Sequence, residues 1–295
     1  MTAAPADLLR ARLARREWTV TVEVVTPAPG DEAARARILT LAEALKSEDR
    51  VAALTLTDRT ASLDADPIAL APEVAARSAK APLVHLAGKG RDDADVARAL
   101  RRAGAAGVTS LLLTGGDPLP PSRAGEPRVR ARVDATPMLR AARELVPDLM
   151  PLGVVPPLRE RVAEARASVV MKRELGALGF IAQLTWDQTE RETVAAWQAD
   201  VGPILGAVML LTRGRLEFLA THRIAGIDVP APLRQRVLGE PPEAARQRLA
   251  FDLVTLRRLG YAGAHLCGVL TPSLVIAVLD EADRLQATLG DDWRP

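Results

Sequence analysis

Short apolar runs closed by turn residues recur along the chain with helical stretches between them, and this alternation restricts the fold to a parallel α/β architecture. The clearest run covers residues 109–114 and is stopped by Gly115, Gly116, Asp117 and Pro118. It reads as a buried parallel strand whose end carries a carboxylate. In a barrel of parallel strands that end holds the chemistry, so Asp117 is a candidate acid; Asp before Pro is also a common turn former, which leaves a simple cap as the other reading.

Residues 18–27 alternate cleanly, with Val20, Val22 and Val24 on one face and Thr19, Thr21 and Glu23 on the other. If the valine face meets helices, Glu23 points into a barrel interior, where an ionised carboxylate needs partners or a raised pKa. The alternative is an edge strand with Glu23 in water. Asp31 then offers an N-cap to a helix whose Ile38, Leu41, Ala42 and Leu45 form one buried stripe. The unit repeats. Strands are expected at 51–58, 82–89, 109–114, 150–155, 179–186, 204–211 and 263–269. Helices are expected at 67–79, 92–103, 135–145, 158–175, 213–221, 241–259 and 273–285, with a Pro-rich turn at Pro230 and Pro232. The Pro-, Gly- and Arg-rich stretch between Pro118 and Val133 reads as a functional or mobile loop.

Eight strands alternating with helices, without a composition break, predict a single (β/α)8 TIM barrel over residues 1–295, with 1–17 an N-terminal helix closing the barrel bottom. A doubly wound sheet is the runner-up. Against it, no G-x-G-x-x-G follows a strand and no G-x-x-x-x-G-K-[ST] occurs. H-E-x-x-H and G-x-S-x-G are absent too, which argues against zinc hydrolases and serine esterases of those types.

Composition sets further bounds. Lys plus Arg number 39 against 37 Asp plus Glu, a balance that gives no support for a nucleic-acid surface. No apolar run is long enough to span a bilayer, and the basic segment 8–16 lacks the apolar centre of a secretory signal, leaving a transit peptide as its alternative to a helix. The single cysteine, Cys267, excludes an intrachain disulfide, fits the reducing cytoplasm, and suggests no cysteine-based zinc site; no metal is expected.

Glu23 before Pro27, Thr55, His85 with Leu86, Gly116-Asp117-Pro118, Gln183 and Gly263-Ala264-His265 form an ordered set that resembles methylenetetrahydrofolate reductase, a (β/α)8 enzyme. The resemblance implies a tetrahydrofolate substrate, with Glu23 as the general acid that opens the imidazolidine ring, Asp117 stabilising the developing cation, and Gln183 binding the pterin. It also implies a dinucleotide near Thr55, His85 and Lys89. The chain departs from the family at Leu56 and Thr57, at Gly115, and at residues 156–159, positions that help the family hold FAD. A kept folate site with altered flavin positions leads to the expectation of an oxidoreductase of methionine biosynthesis in which NADH or NADPH passes hydride directly to the folate. A FAD enzyme and a non-catalytic folate-binding subunit are the alternatives.

Other candidates read more simply. His85 and His265 are strand histidines that suit either packing or a site. His222 reads as exposed on a helix, Arg59 and Arg91 as loop charges, Asp58 and Asp187 as turn caps, and Trp186 as packing. Lys172 is assigned no role. The sequence leaves oligomeric state open.

Overall fold

Leu9 and Leu13, four residues apart, give the first helix one apolar stripe, and the fold uses it as a plug. The computed structural model describes residues 5–58, 62–116, 133–158, 161–222, 227–268 and 271–290. Helix α1 (Leu8–Arg15) starts at Asp7, whose side chain accepts from the Arg10 amide, and ends at Arg16 in the left-handed region (φ 55°). Leu9 and Leu13 pack with the inward-facing Ala53, Leu83, Leu112, Leu152, Ile181 and Leu205. These seal the barrel at the end opposite the strands' C-termini, as expected for the N-terminal segment.

The strands are β1 (Thr19–Val24), β2 (Val51–Leu56), β3 (Leu83–Ala87), β4 (Ser110–Thr114), β5 (Met150–Val155), β6 (Gly179–Ala182), β7 (Ile204–Met209) and β8 (Gly263–Cys267). They form a closed parallel barrel in sequence order, β8 pairing with β1. Closure decides against the doubly wound sheet. Around the strands lie α2 (Glu32–Ala44), α3 (Pro67–Ser78), α4 (Asp93–Ala105), α5 (Ala135–Leu145), α6 (Val162–Glu174), α7 (Gln188–Val201), α8 (Arg213–His222), α9 (Ala231–Gly239), α10 (Pro242–Arg258) and α11 (Pro272–Leu289).

The period-two pattern of β1 sorts its side chains as the sequence predicts. Val20, Val22 and Val24 join the shell between barrel and helices, with Leu54, Val84, Leu111 and Leu266 from other strands. Thr19, Thr21 and Glu23 face inward. The edge-strand reading of Glu23 therefore falls.

Some elements differ from the sequence reading. Strand β6 stops at Ala182 rather than 186, and β7 at Met209 rather than 211. Helix α7 is new, and its signal is local: the Asp187 side chain accepts from the Glu190 amide, so Asp187 is a helix cap. The Pro-rich turn opens α9, because proline's fixed φ and missing N–H suit a first helical turn. Gly263 shows how tightly the barrel closes. A Cβ there would lie 1.9 Å from the Thr19 carbonyl oxygen and 2.7 Å from Leu205 Cδ2.

Candidate functional site

Closure of β8 on β1 assembles the site. Thr21 is the register partner of His265, and Val22 that of Leu266, which sets Glu23 beside Cys267. On its other side Glu23 is paired with Thr55 of β2. Since alternate strand residues share a face, His265 and Cys267 both turn inward with Glu23.

His265 is held from two sides. Its Nδ1 lies 2.8 Å from Thr21 Oγ1, and its Nε2 lies 3.2 Å from Glu23 Oε2. The ring is 2 % exposed, whereas the Glu23 side chain keeps 23 % of its surface open. His85 of β3 stands across the interior with its ring centroid 6.3 Å from that of His265, and its Nε2 is buried without a hydrogen-bond partner. Thr55 Oγ1 is likewise buried and unpaired. Cys267 is buried, and the donor atoms of Glu23, His265 and Cys267 all lie within 4.8 Å of one another.

The electrostatics follow from this packing. Burial pushes the Glu23 carboxyl up. The hydrogen bond and charge of His265, the charge of His85 and a hydrogen bond from Cys267 outweigh it, so Glu23 sits below the ordinary carboxylate value. A pKa raised by burial, which a general acid would need, is not what this pocket provides. Burial drives His85 down to about 4, so its ring is neutral at pH 7. Burial and the adjacent Glu23 charge push the Cys267 thiol well above its usual value.

The other candidates fall elsewhere. Lys89 lies just past β3, where a Cβ on Gly116, itself at φ 75°, would come within 2.8 Å of Lys89 Cβ. Gln183 follows β6 and accepts from the Leu184 amide at 3.3 Å through Oε1. Asp58 and Arg91 form a buried ion pair rather than a cap and a solvated charge. Lys172 donates to the Val154 carbonyl at 2.8 Å. Trp186 packs partly buried against Leu184, Leu211 and their neighbours. Asp117 and Arg59 lie outside the described residues, as does the side chain of His222. The site members that sequence reasoning missed are Thr21 and Cys267. Both were signalled by strand periodicity, since each lies two residues from an inward-facing candidate.

No protein-family model matches the chain, and no curated protein sequence does. Solved structures do match. An uncharacterised protein from Clostridium thermocellum that binds two copies of 5-methyl-5,6,7,8-tetrahydrofolic acid is 14 % identical over 95 % of this chain and 99 % of its own, with a TM-score of 0.63. A 2,3-dimethylmalate lyase of the PEP mutase/isocitrate lyase superfamily is 18 % identical over 98 % and 100 %, with a TM-score of 0.51. A dihydropteroate synthetase is 12 % identical over 92 % and 95 %, with a TM-score of 0.56. At these identities the likeness shows the fold.

These findings correct the sequence-based assignment. The matched structures include a folate-binding protein, an oxaloacetate acetylhydrolase, a 2,3-dimethylmalate lyase and a phosphoenolpyruvate phosphomutase, and no methylenetetrahydrofolate reductase family model matches. The reading as an NAD(P)H oxidoreductase of methionine biosynthesis, with its flavin-dependent alternative, is set aside. The physical reason is that the motifs behind it are single polar residues at the C-terminal ends of strands, and any (β/α)8 barrel places such residues there. Among the described residues no helix is long and apolar enough to cross a membrane.

Proposed function

We propose that the mouth of the barrel binds a reduced folate, with Glu23 as the anchoring carboxylate. The observation that carries this reading is an ionised, partly exposed carboxylate set between neutral or small polar groups on the inner face of the barrel. A pterin ring presents its N3–H and 2-amino group as adjacent donors, which a carboxylate can accept together. Gln183 offers an amide at the same end of the barrel. Lys89 past β3, and Arg215, whose guanidinium would contact a Cβ placed on Gly268 at 3.1 Å, supply positive charge at the rim for an acidic tail. Support also comes from the folate-binding protein and the dihydropteroate synthetase among the similar folds.

An oxaloacetate acetylhydrolase and a 2,3-dimethylmalate lyase share the fold as well. A small dianion fits this pocket less well, because an anionic Glu23 stands at its centre and would repel it. Calorimetric titration separates the two readings. We expect 5-methyltetrahydrofolate to bind the wild-type protein and Glu23→Gln to weaken it about ten- to a hundredfold, the value of charge-assisted hydrogen bonds. Binding of oxalate or oxaloacetate without folate binding would overturn the proposal.

A further inference from the structure

The geometry points to a divalent-cation site of the zinc class formed by Glu23, His265 and Cys267. The three residues bring a carboxylate oxygen, an imidazole nitrogen and a sulfur together inside the barrel, with every donor atom within 4.8 Å of the others. Tetrahedral zinc with bonds of about 2.0–2.3 Å needs its ligand atoms roughly 3.4 Å apart. The His265 Nε2 to Glu23 Oε2 separation is 3.2 Å, so this edge of the tetrahedron already has its length. The sulfur needs only a side-chain adjustment to complete a face. One cysteine in the chain argued against a zinc site, but that argument covers all-cysteine sets and not mixed ones.

Three further observations support a cation. Thr21 Oγ1 lies against His265 Nδ1 at 2.8 Å, which fixes the ring and leaves Nε2 aimed at Glu23; metal-ligating histidines are held in this way through their second nitrogen. Nε2 carries the proton it shares with Glu23 when no metal is bound, and a cation would take that proton's place between nitrogen and carboxylate. Charge also balances: on binding, the thiol loses its proton to solvent, and one carboxylate plus one thiolate neutralise a dication in the buried setting of His265 and Cys267. Finally, His85 Nε2 is buried without a partner on the far side of the same interior, where it can accept a hydrogen bond from water on the open fourth position.

Three protein ligands with one position left over is the donor count of reactive rather than purely structural zinc. Monodentate use of Glu23 leaves only its second oxygen for an organic ligand, so a bound cation would replace one of the two pterin contacts proposed for this carboxylate. The cation site rests on the donor geometry alone and not on the folate reading.

The test is metal analysis of the full chain stripped with chelator and reloaded with Zn²⁺ or Co²⁺. We expect one equivalent bound, a thiolate-to-Co²⁺ charge-transfer band, and release of a proton. Cys267→Ser should abolish the band, and His265→Gln should lower metal content, with circular dichroism and folate titration run on the same samples. The Co²⁺ spectrum of the wild-type protein needs no variant, so a misfolded mutant cannot hide the answer. No stoichiometric metal on reloading, a Co²⁺ complex without the thiolate band, or metal content unchanged in both variants would each overturn the site. Folate binding that persists without metal would leave the folate reading standing.

Discussion

The carboxylate of Asp58 and the guanidinium of Arg91 form a buried ion pair across the ends of β2 and β3. The Asp58 side chain is fully buried and that of Arg91 is 12 % exposed. Asp58 also accepts from the Ala87 amide at 2.8 Å, and Arg91 donates to the Ala87 carbonyl at 2.5 Å, so the pair fastens the chain where β3 leaves the barrel. Removing one partner strands the other charge in the interior. We expect Arg91→Ala to destabilise by about 3–5 kcal/mol in chemical denaturation. A loss below about 1 kcal/mol, the range of exposed pairs, would mean that the pair is solvated in solution.

Leu9 is fully buried among inward-facing residues at the bottom of the barrel. Leu9→Ala should cost about 2–5 kcal/mol in the same assay, because a leucine deleted from a packed interior loses its transfer energy and leaves a cavity. An unchanged midpoint would show that α1 does not plug the barrel.

Gly263 begins the strand that closes the barrel. Its absent Cβ would overlap the Thr19 carbonyl, which is backbone and cannot swing away. Gly263→Ala should therefore destabilise by at least about 1–3 kcal/mol, the range for overpacking. Gly239→Ala is the control, since nothing lies within 4 Å of a Cβ there. Equal melting temperatures for the two variants would contradict the register of β8 on β1.

Stability should fall on the acid side through His85. Its ordinary value of 6.5 drops to about 4 in the fold because burial disfavours the charged ring, with opposing influence from Glu23. Between those values the unfolded chain binds the proton more readily than the folded one, so stability rises with pH through this window and is lost as pH falls. Glu23, held below 4.5, adds its own loss at still lower pH. Denaturation midpoints from pH 4 to pH 7 should show a shallower slope in His85→Gln than in the wild type. Parallel slopes would refute the assignment.

Thr21→Val tests the positioning of His265. The hydroxyl at 2.8 Å is the ring's contact through Nδ1. Its loss should weaken metal binding about ten- to a hundredfold, as outer partners of metal-bound histidines do. Isothermal titration with Zn²⁺ reads this directly, and unchanged affinity would show that Thr21 does not position the ring.

Much of the fold was legible because its signals are local. Residues 135–145 and 150–155 match α5 and β5 to the residue, the start of α5 marked by the Asp134 cap and the flanks of β5 by Pro147 and Asp148 before it and Pro156 and Pro157 after it. The site was legible only in pieces. Glu23 and His85 stood out as polar residues in apolar strands, but Asp58 and Arg91 read as cap and loop charge because 33 residues separate them and nothing local reports a buried pair.

By itself, the sequence determined the strand alternation, and with it which face of β1 carries valines and which carries Thr21 and Glu23. Side-chain direction in a strand is a property of the backbone period and needs no partner. Only the tertiary structure decided that His265, 242 residues from Glu23, stands 3.2 Å from it with Cys267 alongside. That contact is set by closure of β8 onto β1 and by the register of Thr21 against His265, and register depends on how the whole barrel packs rather than on either strand's own residues. The same closure lowers the carboxyl value of Glu23, because His265 and Cys267, two of the neighbours that offset its burial, come from the other side of the barrel seam.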